Sequence, residues 1–193
     1  MEMVETMDAG PILLQRVLPI TEEDDAGTLH ERLAVLGAGA LIEALAAVER
    51  GEIQKIPQED VQATFAPKLT PDLGRLDWLR PATELWNLIR GLSPQPGAYT
   101  FFRHRLVRVL RARPEPGGGR EIPGVILEVR RGEGILVATG EGRLLLLTLQ
   151  PEGKRVMTAE AFAHGYRAKP GAAFLATPGE SPEGNAKGGS GLT

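Results

Sequence analysis

The segment Leu106-Val107-Arg108-Val109-Leu110-Arg111-Ala112 mixes apolar and charged side chains with a period near two, which is typical of a strand with one buried face. Similar short segments recur from Ala98 to Leu149, separated by glycine, proline and charged residues. Two triplets, Gly132-Glu133-Gly134 and Gly140-Glu141-Gly142, suit tight hairpins. The predicted strands are Tyr99–Phe102, Leu106–Ala112, Gly124–Val129, Ile135–Ala138 and Arg143–Leu149. Five antiparallel strands in so short a stretch favour a small β-barrel of the OB type.

The chain before this region has a different character. Residues 11–20 are mostly apolar and predict a buried strand that ends near Pro19. A helix is expected from Thr28, where Thr28-x-x-Glu31 fits a capping box, to a glycine C-cap at Gly51. A strand followed by a helix is a fragment of an α/β layer, and alone it leaves its apolar faces uncovered.

Residues 52–77 contain several prolines and predict a connector. A second helix is expected to start near Pro81 and to carry Leu85, Trp86, Ile89 and Leu92 on one side. Thr158 is a candidate N-cap for a short helix over Ala159–His164. Residues 176–193 are rich in glycine, serine and proline and predict a disordered tail.

Composition excludes several kinds of chemistry. The chain has no cysteine, so disulfides, thiolate catalysis and cysteine-bound zinc are ruled out. Its three histidines lie far apart without metal-ligand spacing, so no metal site is expected. We expect neither a transmembrane helix nor a signal peptide, and the cytoplasm is the expected compartment.

Charge is distributed unevenly along the chain. Residues 1–64 contain four basic and thirteen acidic residues, whereas residues 65–175 contain seventeen basic and ten acidic residues. The basic part predicts a nucleic-acid-binding surface, because arginine forks match phosphate geometry. The alternative is a solvated hairpin face. Five arginines crowd one hairpin and four more basic residues follow: Arg103, Arg105, Arg108, Arg111 and Arg113, then Arg130, Arg131, Lys154 and Arg155. The neighbouring Tyr99, Phe101 and Phe102 fit either base stacking or the barrel core.

Asp8 is the other candidate functional residue. It precedes Gly10 and the apolar run of residues 11–20, and a glycine there would let backbone approach a ligand. A carboxylate without a histidine or amide partner performs no chemistry. On the residues alone, a turn position is the competing interpretation.

The order of motifs resembles the methionyl-tRNA formyltransferase family. The end of that family's catalytic domain is similar to residues 7–13 (Met-Asp-Ala-Gly-Pro-Ile-Leu), 25–37 (beginning Asp-Ala-Gly-Thr-Leu-His-Glu) and 63–69 (Ala-Thr-Phe-Ala-Pro-Lys-Leu) with 76–78 (Leu-Asp-Trp). Its C-terminal domain is similar to residues 89–98, 137–140 (Val-Ala-Thr-Gly) and 149–157 (beginning Leu-Gln-Pro). The resemblance spans roughly residues 3–175 in order.

The resemblance implies an α+β chain with four parts. Residues 1–60 would be a strand-helix remnant of a Rossmann-like formyltransferase domain, and residues 61–80 a linker. Residues 81–175 would be an OB-like tRNA-binding β-barrel with a helix, and residues 176–193 the tail. The family transfers a formyl group from 10-formyltetrahydrofolate to the amino group of initiator methionyl-tRNA.

The resemblance also assigns residues. Asp8 matches the catalytic aspartate, and Met7, Asp8 and Gly10 would border the folate. The expected tRNA-binding residues are Lys68, Arg103, Arg105, Arg108, Arg111, Lys154 and Arg155.

The chain departs from the family in one important respect. The family's catalytic asparagine and histidine and its Ser-Leu-Leu-Pro segment have no counterpart here, so we expect no formyl transfer by this chain alone. Self-association through the uncovered remnant is expected. Two other functions remain open: a stand-alone RNA-binding OB-like module, and another folate-dependent formyltransferase acting on an amino sugar.

Overall fold

The strands between residues 98 and 151 form a curled antiparallel sheet, and burial alternates along the first two of them. The computed structural model describes residues 1–179, apart from the side chain of Asp60; most of the predicted disordered tail therefore lies outside the described residues. The chain divides into two compact units, Met1–Lys68 and a second unit that begins at Leu69. The fold is a mixture of helices and strands, in agreement with the predicted α+β class.

The strands of the second unit follow the predicted turn signals. All five predicted strands are present, some longer than predicted, and two short strands are added. The bounds are β1 (Ala98–Phe102), β2 (Arg105–Glu115), β3 (Ile126–Arg130), β4 (Gly134–Ala138), β5 (Arg143–Pro151), β6 (Met157–Thr158) and β7 (Phe174–Leu175).

The strands pair in the order β3-β4-β5-β2-β1-β7, and β6 pairs with β5. The segment around β7 also contacts the start of β3. The amide of Ile126 donates to the Ala172 carbonyl at 2.7 Å, and the amide of Phe174 donates to the Gly124 carbonyl at 2.8 Å. The two ends of the sheet are thereby joined through residues 172–175.

Two helices cover the sheet of the second unit. Helix α2 (Ala82–Leu92) follows Pro81 and buries Leu85, Ile89 and Leu92. Helix α3 (Ala159–Tyr166) begins after Thr158, whose hydroxyl accepts from the Ala161 amide at 3.1 Å, which confirms the predicted cap.

The core of the second unit is aromatic at its centre. Phe102, Phe162 and Phe174 lie with ring centroids 5.2 to 6.0 Å apart. Leu76 and Trp78, which lie within the predicted linker, are fully buried in this core. The Trp78 indole donates to the Thr100 hydroxyl at 3.0 Å, which satisfies its polar atom.

The first unit contains one long helix, α1 (Ala26–Glu49). None of the residues of α1 is buried. The capping box was misplaced by three residues. Asp25 is the N-cap, its carboxylate accepts from the Thr28 amide at 2.8 Å, and the Thr28 hydroxyl accepts from the Asp25 amide at 2.9 Å. Glu31 takes no part, because Ala26 and Gly27 already belong to the first turn.

The strand predicted over residues 11–20 does not form. Ile12 makes an isolated antiparallel bridge with Ile56, and residues 13–20 have no strand pairing. A strand requires backbone partners along its length. Among the described residues, Glu2 bonds to Pro11 and Ile56 bonds to Ile12, and no backbone partner continues the pairing over residues 13–20.

Candidate functional site

The backbone around Asp8 is held by a residue from the far end of the first unit. Asp8 has a positive φ of 58° in a turn and is exposed. The side-chain amide of Gln58 donates to the carbonyls of Asp8 at 2.8 Å and of Gly10 at 2.7 Å. The Asp8 carboxylate has no hydrogen bond or ion pair among the described residues. The structure therefore fixes the Asp8 backbone and leaves its carboxylate unpaired.

Position 10 requires glycine because the chain's own backbone passes too close to it for a side chain to fit. It is buried, and a Cβ atom built on it would lie 1.8 Å from the Glu2 carbonyl oxygen. The Glu2 amide donates to the Pro11 carbonyl at 3.0 Å, and Lys55 pairs with the Glu2 carboxylate at 2.6 Å. Met7, the third residue expected near the folate, is almost fully exposed. The segment that approaches Gly10 closely is residues 2–4 of the chain itself.

Gln58 is a residue of this site that the sequence does not predict. It lies 48 to 50 residues from its two partners, inside a stretch interpreted as a connector. A single glutamine in a proline-rich segment gives no signal of such a contact.

Asp24 forms an ion pair near the start of α1. This carboxylate is buried, pairs with the Arg32 guanidinium and accepts from the Thr21 amide at 2.7 Å. The Arg32 hydrogen bond, followed by that of Thr21, lowers the pKa of Asp24 to about 2. The cluster anchors the start of α1 to the loop before it.

Three arginines of β2 form the centre of the basic surface. Arg105, Arg108 and Arg111 are exposed, while Val107 and Val109 point into the core. Register shifts on both sides of Arg111 bring it to the exposed face, although strict alternation would bury it. Within residues 1–179 these three guanidinium groups have no acidic partner. Their charge is available to a ligand.

Other arginines of the predicted cluster are already paired. Arg113 and Arg130 share the Glu115 carboxylate at 3.2 and 2.9 Å. Arg130 also pairs with Glu128 at 2.9 Å, and these carboxylates raise the pKa of Arg130. These two charges are largely compensated within the protein.

Arg103 has a structural role at the tip of the β1–β2 hairpin. Arg103 and His104 both have positive φ, 48° and 66°, as a two-residue hairpin turn requires. The Arg103 guanidinium donates to the carbonyls of Tyr166 at 3.3 Å and Arg167 at 3.4 Å. It therefore satisfies carbonyls at the end of α3.

The loop after β5 brings two more cations beside β2. Lys154 and Arg155 are exposed, and the Glu152 amide donates to the Leu106 carbonyl at 3.0 Å. Lys68, the remaining predicted tRNA-binding residue, is an exposed residue of the first unit. The second unit thus combines cations from β2 and from the loop 151–155.

An open cleft of about 500 Å³ lies on the outer face of β1, β2 and β5. Tyr99 and Phe101 line it, whereas Phe102 belongs to the core. The structure thus separates three aromatic residues for which the sequence left stacking and core roles open. The other polar groups at the cleft are Arg108, Gln150 and Glu152.

Two other possibilities receive no support in the described part of the chain. No three of its histidine, aspartate and glutamate residues are grouped as metal ligands would be. No helix in that part has the length and apolar character needed to cross a membrane.

Comparisons with known proteins bear on both units. Residues 68–167 match the model of the formyl transferase C-terminal domain. The chain is 43% identical over 165 residues to a protein of Streptococcus gordonii named methionyl-tRNA formyltransferase, covering 86% of this chain and 52% of that protein. It is 41% identical over 182 residues to the protein of that name from Heliobacterium modesticaldum, covering 90% of this chain and 57% of that protein.

Solved structures show the same fold. HypX from Aquifex aeolicus, in complex with tetrahydrofolic acid, superposes with a TM-score of 0.63 at 22% identity, covering 84% of this chain and 29% of HypX. The chain spans about half the length of the curated relatives it matches. Because the family model matches residues 68–167, more than half of the chain, the chain belongs to the family defined by the formyl transferase C-terminal domain.

Proposed function

We propose that this chain is the tRNA-binding portion of a methionyl-tRNA formyltransferase. The intact enzyme would transfer a formyl group from 10-formyltetrahydrofolate to the amino group of initiator methionyl-tRNA, in the cytoplasm at the start of translation. The family match over residues 68–167 and the shared name of the relatives support this function. The chain's own contribution is affinity for the nucleic acid.

One observation carries the proposal. Arg105, Arg108 and Arg111 are exposed on one strand and lack acidic partners among the described residues, although the first 64 residues are strongly acidic. Guanidinium groups bind phosphate through paired hydrogen bonds and release the counterions of RNA. Such a surface gives salt-dependent binding away from the reacting amino group.

Charge reversal of the double variant Arg105→Glu/Arg108→Glu tests this role. We expect weaker binding of initiator tRNA, and a flatter dependence of log Kd on log salt, because about two phosphate contacts are lost. Fluorescence titration at several salt concentrations measures both quantities.

The matched control is Arg80→Glu, which changes charge in the same sense outside β2. Arg80 is already paired with Glu84 at 2.7 Å, so its loss should leave the salt slope nearly unchanged. Equal tRNA affinity and equal slope for the wild type and the double variant would contradict the proposal. A sugar nucleotide that competes with tRNA would favour an amino-sugar formyltransferase instead.

The fold assignment of the parts belongs to the same proposal. Residues 1–60 would be the end of a Rossmann-like catalytic domain, residues 61–80 a linker, and residues 81–175 an OB-like barrel. The long helix α1, which buries no residue, supports the first assignment. The joined ends of the curled sheet support the last.

Asp8 would be the catalytic aspartate of the intact enzyme, beside a folate bordered by Met7 and Gly10. A carboxylate at that place can hold a neighbouring imidazole in its charged form while the amine attacks the formyl carbon. The exposed, unpaired carboxylate and its fixed backbone support this role.

We expect no formyl transfer by residues 1–193 alone, because the Asp8 carboxylate has no histidine or amide partner in the described chain. The test is a turnover assay with 10-formyltetrahydrofolate and methionyl-tRNA. Rates like those of a complete enzyme, abolished by Asp8→Asn, would show that the chain is catalytically sufficient.

A stand-alone RNA-binding module is the second candidate, favoured by that same lack of partners for Asp8. In that case tRNA would bind tightly, and formyl transfer would stay absent even when the N-terminal portion of a relative, such as the Streptococcus gordonii protein, is added to the chain.

A further inference from the structure

The cleft on the second unit is built from two rows of side chains that cross the sheet. Tyr99 on β1 is the partner of Arg108 on β2, which is the partner of Gln150 on β5. Phe101 is the partner of Leu106, whose carbonyl accepts from the Glu152 amide. Side chains in such rows lie about 4.5 to 5.5 Å apart at their Cβ atoms, so they form one continuous surface.

The walls of the cleft are fixed by backbone contacts. The turn Pro71–Gly74 packs so closely on Gly97 that a Cβ atom on Gly74 would lie 2.7 Å from the Gly97 carbonyl oxygen. The aliphatic stem of Arg108 lies over Gly97, 3.4 Å from where a Cβ atom would be. The Arg108 stem therefore runs beside Gly97, and Arg108 lines the cleft.

The aromatic groups of the cleft are accessible. Tyr99 and Phe101 are half-buried and meet edge to face, with ring centroids 6.0 Å apart. Within the described residues the Tyr99 hydroxyl has no hydrogen-bond partner. A planar ligand can stack on such a ring, and stacking of this kind holds unpaired bases in single-strand-binding proteins.

Two of the polar side chains at the cleft offer acceptor oxygens. The Gln150 side-chain nitrogen donates to the Lys154 carbonyl at 3.1 Å, and this contact fixes the amide with its oxygen available. The Glu152 carboxylate is exposed and has no ion pair in the described chain. Two acceptors of this kind match bases that present amino groups, above all guanine with its adjacent N1–H and N2–H₂ donors.

We propose that this cleft binds one unpaired nucleobase of RNA, with a preference for guanine over uracil. The base stacks on Tyr99 beside Phe101, its edge donates to Gln150 and Glu152, and Arg108 contacts the adjacent phosphate. The cleft volume of about 500 Å³ accommodates a base with its ribose. The proposal rests on the proposed RNA-binding function and adds a base-specific subsite to it.

The test compares three hexaribonucleotides by fluorescence anisotropy with the full chain. One is all uridine, one has guanosine at its two central positions, and one is abasic at those same two positions with the same phosphates. We expect the wild type to bind the guanosine hexamer at least about five-fold more tightly than the abasic one, since one stacked base is worth that much. Tyr99→Leu should lose this preference, and Tyr99→Phe should keep it.

The exposed Glu152→Gln variant tests the base edge without removing the stacking ring. It should bring guanosine and uridine hexamers to similar affinity while both remain tighter than the abasic hexamer. The slope of log Kd against log salt should be unchanged in Tyr99→Leu, and near-ultraviolet circular dichroism confirms that the variants fold.

The results distinguish failure of the base-binding subsite from failure of the proposed RNA-binding function. A base preference that survives Tyr99→Leu overturns the stacking subsite, while salt-dependent tRNA binding upholds the RNA-binding function. Equal affinity of the wild type for all three hexamers also overturns the subsite. If the wild type binds neither the hexamers nor tRNA at any salt concentration, both proposals fail.

Discussion

At the scale of single residues, Gly140 shows where the second unit tolerates no added atom. A Cβ atom on Gly140 would lie 1.7 Å from the Leu79 carbonyl oxygen and 2.5 Å from its carbon. The Gly140 amide also donates to the Trp78 carbonyl at 2.9 Å, so two backbone segments meet here without side chains between them. The β4–β5 turn and the start of α2 depend on this contact.

Gly140→Ala should therefore destabilise the second unit by roughly 1–3 kcal/mol, because the backbone must move to relieve overpacking. Gly165→Ala is the matched control. Gly165 lies in α3 with nothing within 4 Å of a built Cβ atom, so alanine should stabilise the fold by about 0.5–1 kcal/mol. Urea unfolding followed by tryptophan fluorescence measures both changes, since Trp78 is fully buried. Equal midpoints for the two variants would contradict the expected effect of the close contact.

At the scale of elements, the sequence predicted what short-range patterns determine. Each of the five main strands is bounded by glycine or a charged turn, and each is found where it was expected. The failures involve partners distant in sequence. The apolar run 11–20 predicts a strand, but Ile56 pairs with only one of its residues. Strand β7 was missed because two residues, Phe174 and Leu175, carry no periodicity.

For the candidate site too, the sequence predicts local patterns but not the contacts between residues distant in sequence. The sequence identified the basic hairpin, but it could not separate the unpaired Arg105 and Arg108 from Arg130, because Arg130 pairs with Glu115, which lies on another strand. The cleft was also not predicted. Its two rows require the register of three strands, which composition does not give.

The start of α1 provides a prediction about pH. The pKa of Asp24 falls from an ordinary 3.8 to about 2 because the folded chain places the Arg32 guanidinium and the Thr21 amide against it. A carboxyl with a lowered pKa stabilises the folded state above its ordinary value, and this stabilisation is lost as the pH falls toward 2. We expect the Thr21 amide resonance to titrate with a midpoint near pH 2, and Asp24→Asn to abolish that titration. A midpoint near pH 4 would show that the Asp24 cluster does not form.

At the scale of the whole chain, the two units differ in how much they bury. The second unit has an extensive core, whereas in the described first unit only Gly10 and Asp24 are buried. The stability of a folded chain comes chiefly from buried apolar surface. We therefore expect the acidic first unit to gain stability from interactions that its described residues do not provide.

Helix α1 shows what such an interaction would cover. Leu41, Leu45 and Val48 recur at helical spacing on one face and are 61%, 60% and 51% exposed. A contiguous apolar surface of this kind favours association, so we expect the purified chain to self-associate as its concentration rises. Sedimentation velocity over a dilution series measures this directly. The double variant Leu41→Glu/Leu45→Lys replaces two of the three residues of this stripe, keeps the net charge and adds a favourable i,i+4 pair, so it should remain helical and become monomeric. Val35→Lys changes a residue outside that stripe and should leave association intact. A wild-type chain that stays monomeric at all concentrations would show that the exposed stripe does not drive contact between copies.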